Sequence, residues 1–209
     1  MREIVSAKGS RFLLCKLAQS DARFAKYPPQ PVVGCEGYRC RFPGSATLRD
    51  ERAGDAMRIR QVHGSAFPTE AEATLVDALR RAGRLSLSLL AEVDGELVGH
   101  LALSPVTGGA SARGLGLAPV AVLPAFQNRG VGSALIREAL ARCRRLDVGY
   151  VVVLGHPDYY GRFGFLPAST WNLSDEYGGG DAFQAIELAA GAIGAVGGRI
   201  QYAPEFAAL

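Results

Sequence analysis

Apolar and polar residues alternate along this chain in changing rhythms, and each change marks a boundary between elements. From Met57 to Val62 they alternate one by one, which predicts a first half-buried strand. Leu75, Val76 and Leu79 then recur at helical spacing, and Gly83 supplies a stop. Thr69-Glu70-Ala71-Glu72, just before them, has the spelling of a capping box. Ser86 to Val93 and Glu96 to Leu103 read as strands joined at Asp94-Gly95, a strong two-residue hairpin signal. A glycine-rich loop, Gly108 to Gly114, leads into the apolar strand Leu115 to Leu123. Pro124 to Arg129 has no apolar period, and Val131, Leu135, Ala139, Leu140 and Cys143 mark a second helix. Val148 to Leu154 is a dense β-branched run, and Pro157 to Phe163 suits a short helix. Ala168 to Asp181 reads as a loop, with closing strands at Ala182 to Leu188 and Gly198 to Tyr202. The order is β-α-β-β-β-α-β-α-β-β, an α/β (α+β) chain.

The residues before Met57 have a different texture. Glu3 to Ala7 and Ser10 to Lys16 form a candidate hairpin, followed by irregular backbone at Tyr27 to Pro31 and Gly34 to Tyr38. The polar stretch Ser45 to Ala56 reads as a linker. Charge changes at the same place. Residues 1–56 hold ten basic and six acidic residues and all three lysines, whereas residues 57–209 hold thirteen arginines and fourteen acids. The expected organisation is a small loop-rich extension, 1–56, and one domain, 57–209. At 209 residues and 48% hydrophobic, the chain has enough apolar matter for a packed core. A net charge of +3 points away from nucleic acid. No apolar run has the length of a membrane helix, and the N-terminus lacks the apolar stretch of a signal peptide, so a cytoplasmic protein without membrane attachment is expected. Cys15, Cys35, Cys40 and His63 lack the spacing of a zinc set, so no metal is expected.

The chemistry concentrates between the strand at 115–123 and the helix after it. Backbone N–H groups in a helix's first turn have no partner inside the helix, and the macrodipole adds partial positive charge there. Such a terminus suits a phosphate. Gly130 and Gly132 remove the side chains that would keep a diphosphate off the backbone. A nucleoside-triphosphate loop would need a lysine after the second glycine, where Ser133 stands. A dinucleotide fingerprint would need a third glycine at Leu135. What remains is Q-x-x-G-x-G, Gln127 to Gly132.

That string, together with Tyr160-Gly161-Arg162-Phe163-Gly164-Phe165, resembles the two signature motifs of the GNAT superfamily of acyl-CoA-dependent N-acetyltransferases. Val151 to Phe165 is similar to the branch of small bacterial YhbS-type acetyltransferases. The resemblance covers Met57 onward, and Met57-Arg58-Ile59-Arg60 resembles the usual opening of the fold, which makes Met57 a candidate start of the enzyme. It implies a mixed, partly antiparallel sheet flanked by helices, with acetyl-CoA as acetyl donor. Carried over by position, the diphosphate falls to Gln127, Asn128, Arg129, Gly130, Val131, Gly132 and Ser133. The pantetheine arm falls to the main chain of Val120, Ala121 and Val122, with the Val122 amide as a candidate donor to the thioester oxygen.

The implied reaction is attack by an amine on a thioester carbonyl. It needs an oxyanion donor, an acceptor for the amine's proton and an acid for the leaving thiolate. Tyr160 holds the family's place for that acid, with Tyr159 beside it. The strand lacks the glutamate that many relatives use as base, which leaves His156 and His100, and His156 follows the strand at the edge where substrate would enter. Asp175, Glu176 and Asp181 could attract a cationic amine. No cysteine stands at a nucleophile position, so direct transfer to a primary amine of a small molecule or peptide is expected. The alternatives are a non-catalytic acyl-CoA-binding regulatory module and an acyltransferase for longer chains. The loops around Ala66, Gly108 and Ser174 carry no code for the acceptor, and nothing specifies oligomeric state.

Overall fold

The computed structural model describes residues 2–5, 11–14, 46–110, 112–194 and 197–208. The chain divides into two compact units, Met1–Arg39 and Cys40–Leu209. In the first, strands β1 (Arg2–Val5) and β2 (Arg11–Leu14) pair antiparallel, with Arg2 opposite Leu14. They form the hairpin that the pattern predicts there. The stretch from Tyr27 to Tyr38, and Cys15, Cys35 and Cys40, lie outside the described residues.

The second unit runs β3 (Thr47–Asp50), α1 (Ala56–Ala66), α2 (Ala71–Arg81), β4 (Leu87–Val93), β5 (Glu96–Val106), β6 (Gly114–Val122), α3 (Val131–Arg145), β7 (Tyr150–Leu154) and α4 (Pro157–Tyr160). β8 (Leu166–Pro167), β9 (Leu173–Asp175), β10 (Phe183–Glu187) and β11 (Gly198–Ile200) follow. Seven strands make one sheet in the order β3-β4-β5-β6-β7-β10-β8. Its pairings are antiparallel except β6 with β7, which α3 connects as a crossover.

Several expectations fail here. Met57 to Val62 is the front of helix α1, not a strand. Its buried positions are Ile59, Val62 and His63, at helical spacing, while Met57 is 74% exposed. The sheet instead begins at β3, inside the stretch read as a linker. Arg49 ties β3 down. Its guanidinium donates to both carboxylate oxygens of Asp55, at 2.6 and 3.0 Å, and to Glu92 of β4 at 2.8 Å. The capping box is absent too. Glu70 occupies the cap position of α2, and the Thr69 hydroxyl reaches only Ala71 N–H, at 3.4 Å. Finally, β11 does not close the main sheet. It pairs in parallel with β9, which lies in the stretch read as loop.

The two faces of the sheet are covered by different helices. Leu87, Leu89, Ala91 and Val93 of β4, and Leu101 and Leu103 of β5, meet the apolar side of α3 at Val131, Leu135, Ile136, Ala139, Leu140 and Cys143. On the opposite face, Leu90 of β4 and Ala121 of β6 lie under Ile59 and Val62 of α1 and Val76 of α2. Leu75 and Leu79 of α2 extend that layer towards Tyr202 and Phe206 near the C-terminus. At about 1.5–3 kcal/mol per fully buried large apolar side chain, these two layers supply most of the drive to fold.

Candidate functional site

Strands β6 and β7 run side by side for only three pairs, from Gly114–Tyr150 to Gly116–Val152. Beyond Gly116, β6 continues to Val122 against β5 alone, with one extra residue between the Leu101–Val120 and Leu103–Leu117 pairs. The extra residue falls at Ala118-Pro119, whose peptide bond is cis. The outer edge of β6 therefore faces a gap in the middle of the sheet. Leu123 N–H donates to Val98 C=O at 2.9 Å. Since backbone direction alternates along a strand, the main-chain groups of Val122 point away from β5, into the gap. Ala121 is paired with His100, and its side chain is buried beneath α1. Of the three residues carried over for the pantetheine arm, Val120 and Val122 thus border the gap and Ala121 backs onto β5.

The turn from β6 into α3 stands at the mouth of the gap. Gln127 donates its side-chain amide to Val122 C=O at 3.1 Å, which folds the turn back onto the strand. Asn128 and Gly130 have positive φ, 58° and 88°, with Arg129 between them on the ordinary side. Alternating handedness of this kind turns successive N–H groups towards one point, an anion nest. The first helical bond runs from Ala134 N–H to Gly130 C=O, so the amides of Val131, Gly132 and Ser133 precede the ladder. Arg129 is exposed and its guanidinium lies 5.6 Å from the Phe126 ring centroid. The Val131 side chain is buried in the α3 core, which leaves only its amide at the turn.

Tyr159 and Tyr160 of α4 approach the same region, their rings edge to face at 5.1 Å. A Cβ on Gly132 would stand 2.9 Å from the Tyr159 hydroxyl and 3.6 Å from Val122 Cγ2. Tyr159 therefore roofs the first turn of α3. Tyr160 packs its ring on Gly155, where a Cβ would come within 2.4 Å of Cε2, and against Phe165 at 5.7 Å. Burial, helped by neighbouring Tyr159, pushes the Tyr160 phenol up to about 12. His156 is exposed at the start of α4, and its carbonyl caps the helix by accepting from the N–H groups of Tyr159 and Tyr160.

The other candidates are committed elsewhere. His100 is fully buried, with Nδ1 2.8 Å from His63 Nε2 and Nε2 2.8 Å from the Ser88 hydroxyl, which donates to Glu51. Burial holds His100 well below its ordinary value and lowers His63 to about 4, so both are neutral core imidazoles. The Asp175 carboxylate accepts from Tyr177 and Gly179 N–H at 2.7 and 2.9 Å, and Glu176 accepts from Tyr202 N–H at 2.7 Å. Asp181 is exposed. Cys143 is buried under the sheet, its thiol raised to about 11 by desolvation. Among the described residues, no cluster of three or more metal-ligating side chains occurs. No helix among them is long and apolar enough to cross a membrane.

The chain is similar to known proteins in both sequence and fold. The sequence profile of the acetyltransferase (GNAT) family matches residues 56–165. The uncharacterized N-acetyltransferase YhbS of Escherichia coli K12 is 36% identical over 162 residues, 76% of this chain and 97% of that protein. A crystal structure of E. coli YhbS in complex with CoA superposes with a TM-score of 0.75 at 34% identity, covering 81% of this chain and 96% of that one. A GNAT family acetyltransferase from Brucella melitensis, solved in complex with acetyl-CoA, gives a TM-score of 0.65 at 38% identity, covering 78% and 99%.

Proposed function

The chain belongs to the GNAT acetyltransferase family, and from that premise and the shape of its central gap we propose that it transfers an acetyl group from acetyl-CoA directly to a primary amine. The observation that carries the proposal is the edge of β6 beyond Gly116, which no strand among the described residues pairs with, ending in the nest at Asn128 to Gly130. The diphosphate of acetyl-CoA sits on the N–H groups of the turn from Asn128 to Ser133, with Arg129 adding a charge-assisted contact and Gln127, whose own N–H donates to Pro124 C=O, bracing the turn through its side chain. The pantetheine arm lies along β6 and pairs with the main chain of Val120 and Val122 as a surrogate strand. Ala121 supports that edge from behind. The complexes of YhbS with CoA and of the Brucella enzyme with acetyl-CoA support acetyl-CoA as the ligand.

The thioester then lies in the gap with its carbonyl oxygen towards the Val122 N–H, which stabilises the oxyanion as the amine attacks. Tyr160 donates to the departing sulfur. A phenol near 12 stays protonated at every physiological pH, so it is always a donor. Because a thiol titrates near 8.5, complete proton transfer from so weak an acid is uphill, and Tyr160 acts chiefly as a hydrogen-bond donor to the thiolate. His156 is the exposed imidazole beside this helix, and it takes the proton that the amine loses. The test is thiol release: the full chain with acetyl-CoA and a panel of primary amines, reading free coenzyme A and the mass of the acetylated amine. Thiol release coupled to amide formation is expected. Acetyl-CoA binding without thiol release for any amine would point to a binding module instead.

A further inference from the structure

Three arginines hold their guanidinium groups on aromatic rings around the first turn of α3. Arg129 lies over Phe126, beside the nest. Arg162 belongs to the short turn Gly161–Phe163 that continues α4, three residues after Tyr159, so the two side chains share one side of that turn. Its Nε donates to Tyr159 C=O at 3.1 Å, and its Cζ lies over the Tyr159 ring, 4.4 Å from the centroid. Arg137 of α3 leans back towards the start of its helix, as helical side chains do, and its Nη1 lies 3.4 Å from Ser133 C=O. Phe163 joins the two, with its ring centroid 5.4 Å from Arg162 Cζ and 5.0 Å from Arg137 Cζ. The Tyr159 hydroxyl lies 2.9 Å from where a Cβ on Gly132 would stand. The contacts therefore make a closed path from Gly132 through Tyr159, Arg162, Phe163 and Arg137 back to Ser133.

Such seating prepares a guanidinium for an anion. A ring face attracts the cation without neutralising it, and the stacked plane leaves N–H donors at its edge. Arg162 is exposed and forms no ion pair with a carboxylate among the described residues; Asp158, four residues before it, is exposed as well. A side chain already placed on a ring loses less freedom when a ligand arrives. The nest, the first amides of α3 and Arg129 account for a diphosphate. Arg162 and Arg137 are a further cationic pair beside the same turn. Acetyl-CoA carries one further phosphate, the monoester on its ribose 3′ oxygen.

We propose that Arg162 and Arg137 bind this 3′-phosphate, so that the donor must be a complete coenzyme A thioester and not an acyl group on a pantetheine arm that lacks it. The inference rests on the reading that the diphosphate occupies the turn from Asn128 to Ser133. A dianionic phosphate offers oxygens to both guanidinium groups, and each contact is charge-assisted.

The test is calorimetric titration of coenzyme A and of 3′-dephospho-coenzyme A into the full chain, as wild type, Arg162→Gln and Arg137→Gln. Wild type is expected to bind coenzyme A about tenfold tighter than the dephospho form, the effect of one charge-assisted hydrogen bond. The difference should shrink as salt is raised, because the pair lies at the surface. Each variant is expected to lose most of that preference while binding the dephospho form as wild type does. Equal affinity of wild type for the two ligands, or a retained preference in either variant, would overturn the inference. A variant that weakens both ligands alike would also overturn it, because the arginine would then act only by propping Tyr159 and the turn. Failure of wild type to bind either ligand would instead overturn the reading beneath it.

Discussion

Tyr159 and Tyr160 are neighbours in sequence, yet they pack against different parts of the site. Tyr159 stands over Gly132 at the mouth of the gap, whereas Tyr160 lies deeper, against Gly155. Tyr160→Phe keeps the ring and removes only the donor. It should lower kcat by about 10²-fold, the low end for an assisting acid, with acetyl-CoA affinity unchanged. Tyr159→Phe should leave kcat nearly intact. Steady-state kinetics on both variants check this, and a larger loss for Tyr159→Phe would assign the thiolate to the other ring. With the Tyr160 phenol near 12, no fall in rate from its ionisation should appear below about pH 11. The motif spelling singled out Tyr160 but could not separate the two rings, because that depends on how a four-residue helix lies across Gly132 and Gly155.

At the scale of elements, the strands and helices from Leu75 to Tyr160, and β10, were legible because each had a strong period and a clear stop. Asp94 and Gly95 both have positive φ, as their hairpin turn requires. The misreadings were of short or ambiguous segments. Over six residues, Met57 to Val62 fits a strand; only by including His63 and Ala66 does the helical stripe emerge. β3 was hidden because it is an edge strand whose residues are largely polar and are held by ions rather than by apolar burial. β9 and β11 are three residues each, too short to show a period. β3 carries a consequence. A fragment from Cys40 onward should fold, whereas one from Met57 loses Arg49, Asp55 and the sheet's edge and should unfold at lower temperature. Arg49 and Asp55 form a bidentate pair with side chains only 16% and 9% exposed, so Arg49→Ala in the full chain should cost about 2 kcal/mol by removing two charge-assisted hydrogen bonds and leaving the carboxylate with the Arg52 N–H at 2.8 Å and Arg58 at 3.6 Å. Urea unfolding of the fragments and the variant checks both expectations; equal stability of the two fragments would make β3 dispensable.

For the molecule as a whole, acid stability and cofactor binding report on different parts of the structure. His63 and His100 have folded values below the unfolded value near 6.5, so the unfolded chain binds more protons and stability falls as pH drops. Their contribution is fully present above about pH 6.5 and is lost towards pH 4, on the order of 3 kcal/mol from His63 alone. Arg80 deepens the His63 shift and Asp77 opposes it. Asp55, held down to about 2 first by the Arg49 hydrogen bond, adds its loss only below about pH 4. Urea midpoints from pH 7 to pH 3 should therefore fall in two stages, and a flat curve between 6.5 and 4.5 would contradict the neutral histidine pair. Cofactor binding tests the central claim most directly, by calorimetric titration of acetyl-CoA into the wild-type full chain and into Gly132→Val. Gly132 lies inside α3, so the substitution leaves the left-handed turn at Gly130 untouched while filling the space beneath Tyr159. The account predicts a roughly micromolar Kd for wild type, about −8 kcal/mol, and loss of measurable heat for Gly132→Val with its Tm nearly unchanged. No heat with wild type, or equal affinity in the variant, would mean that the diphosphate does not sit on this turn.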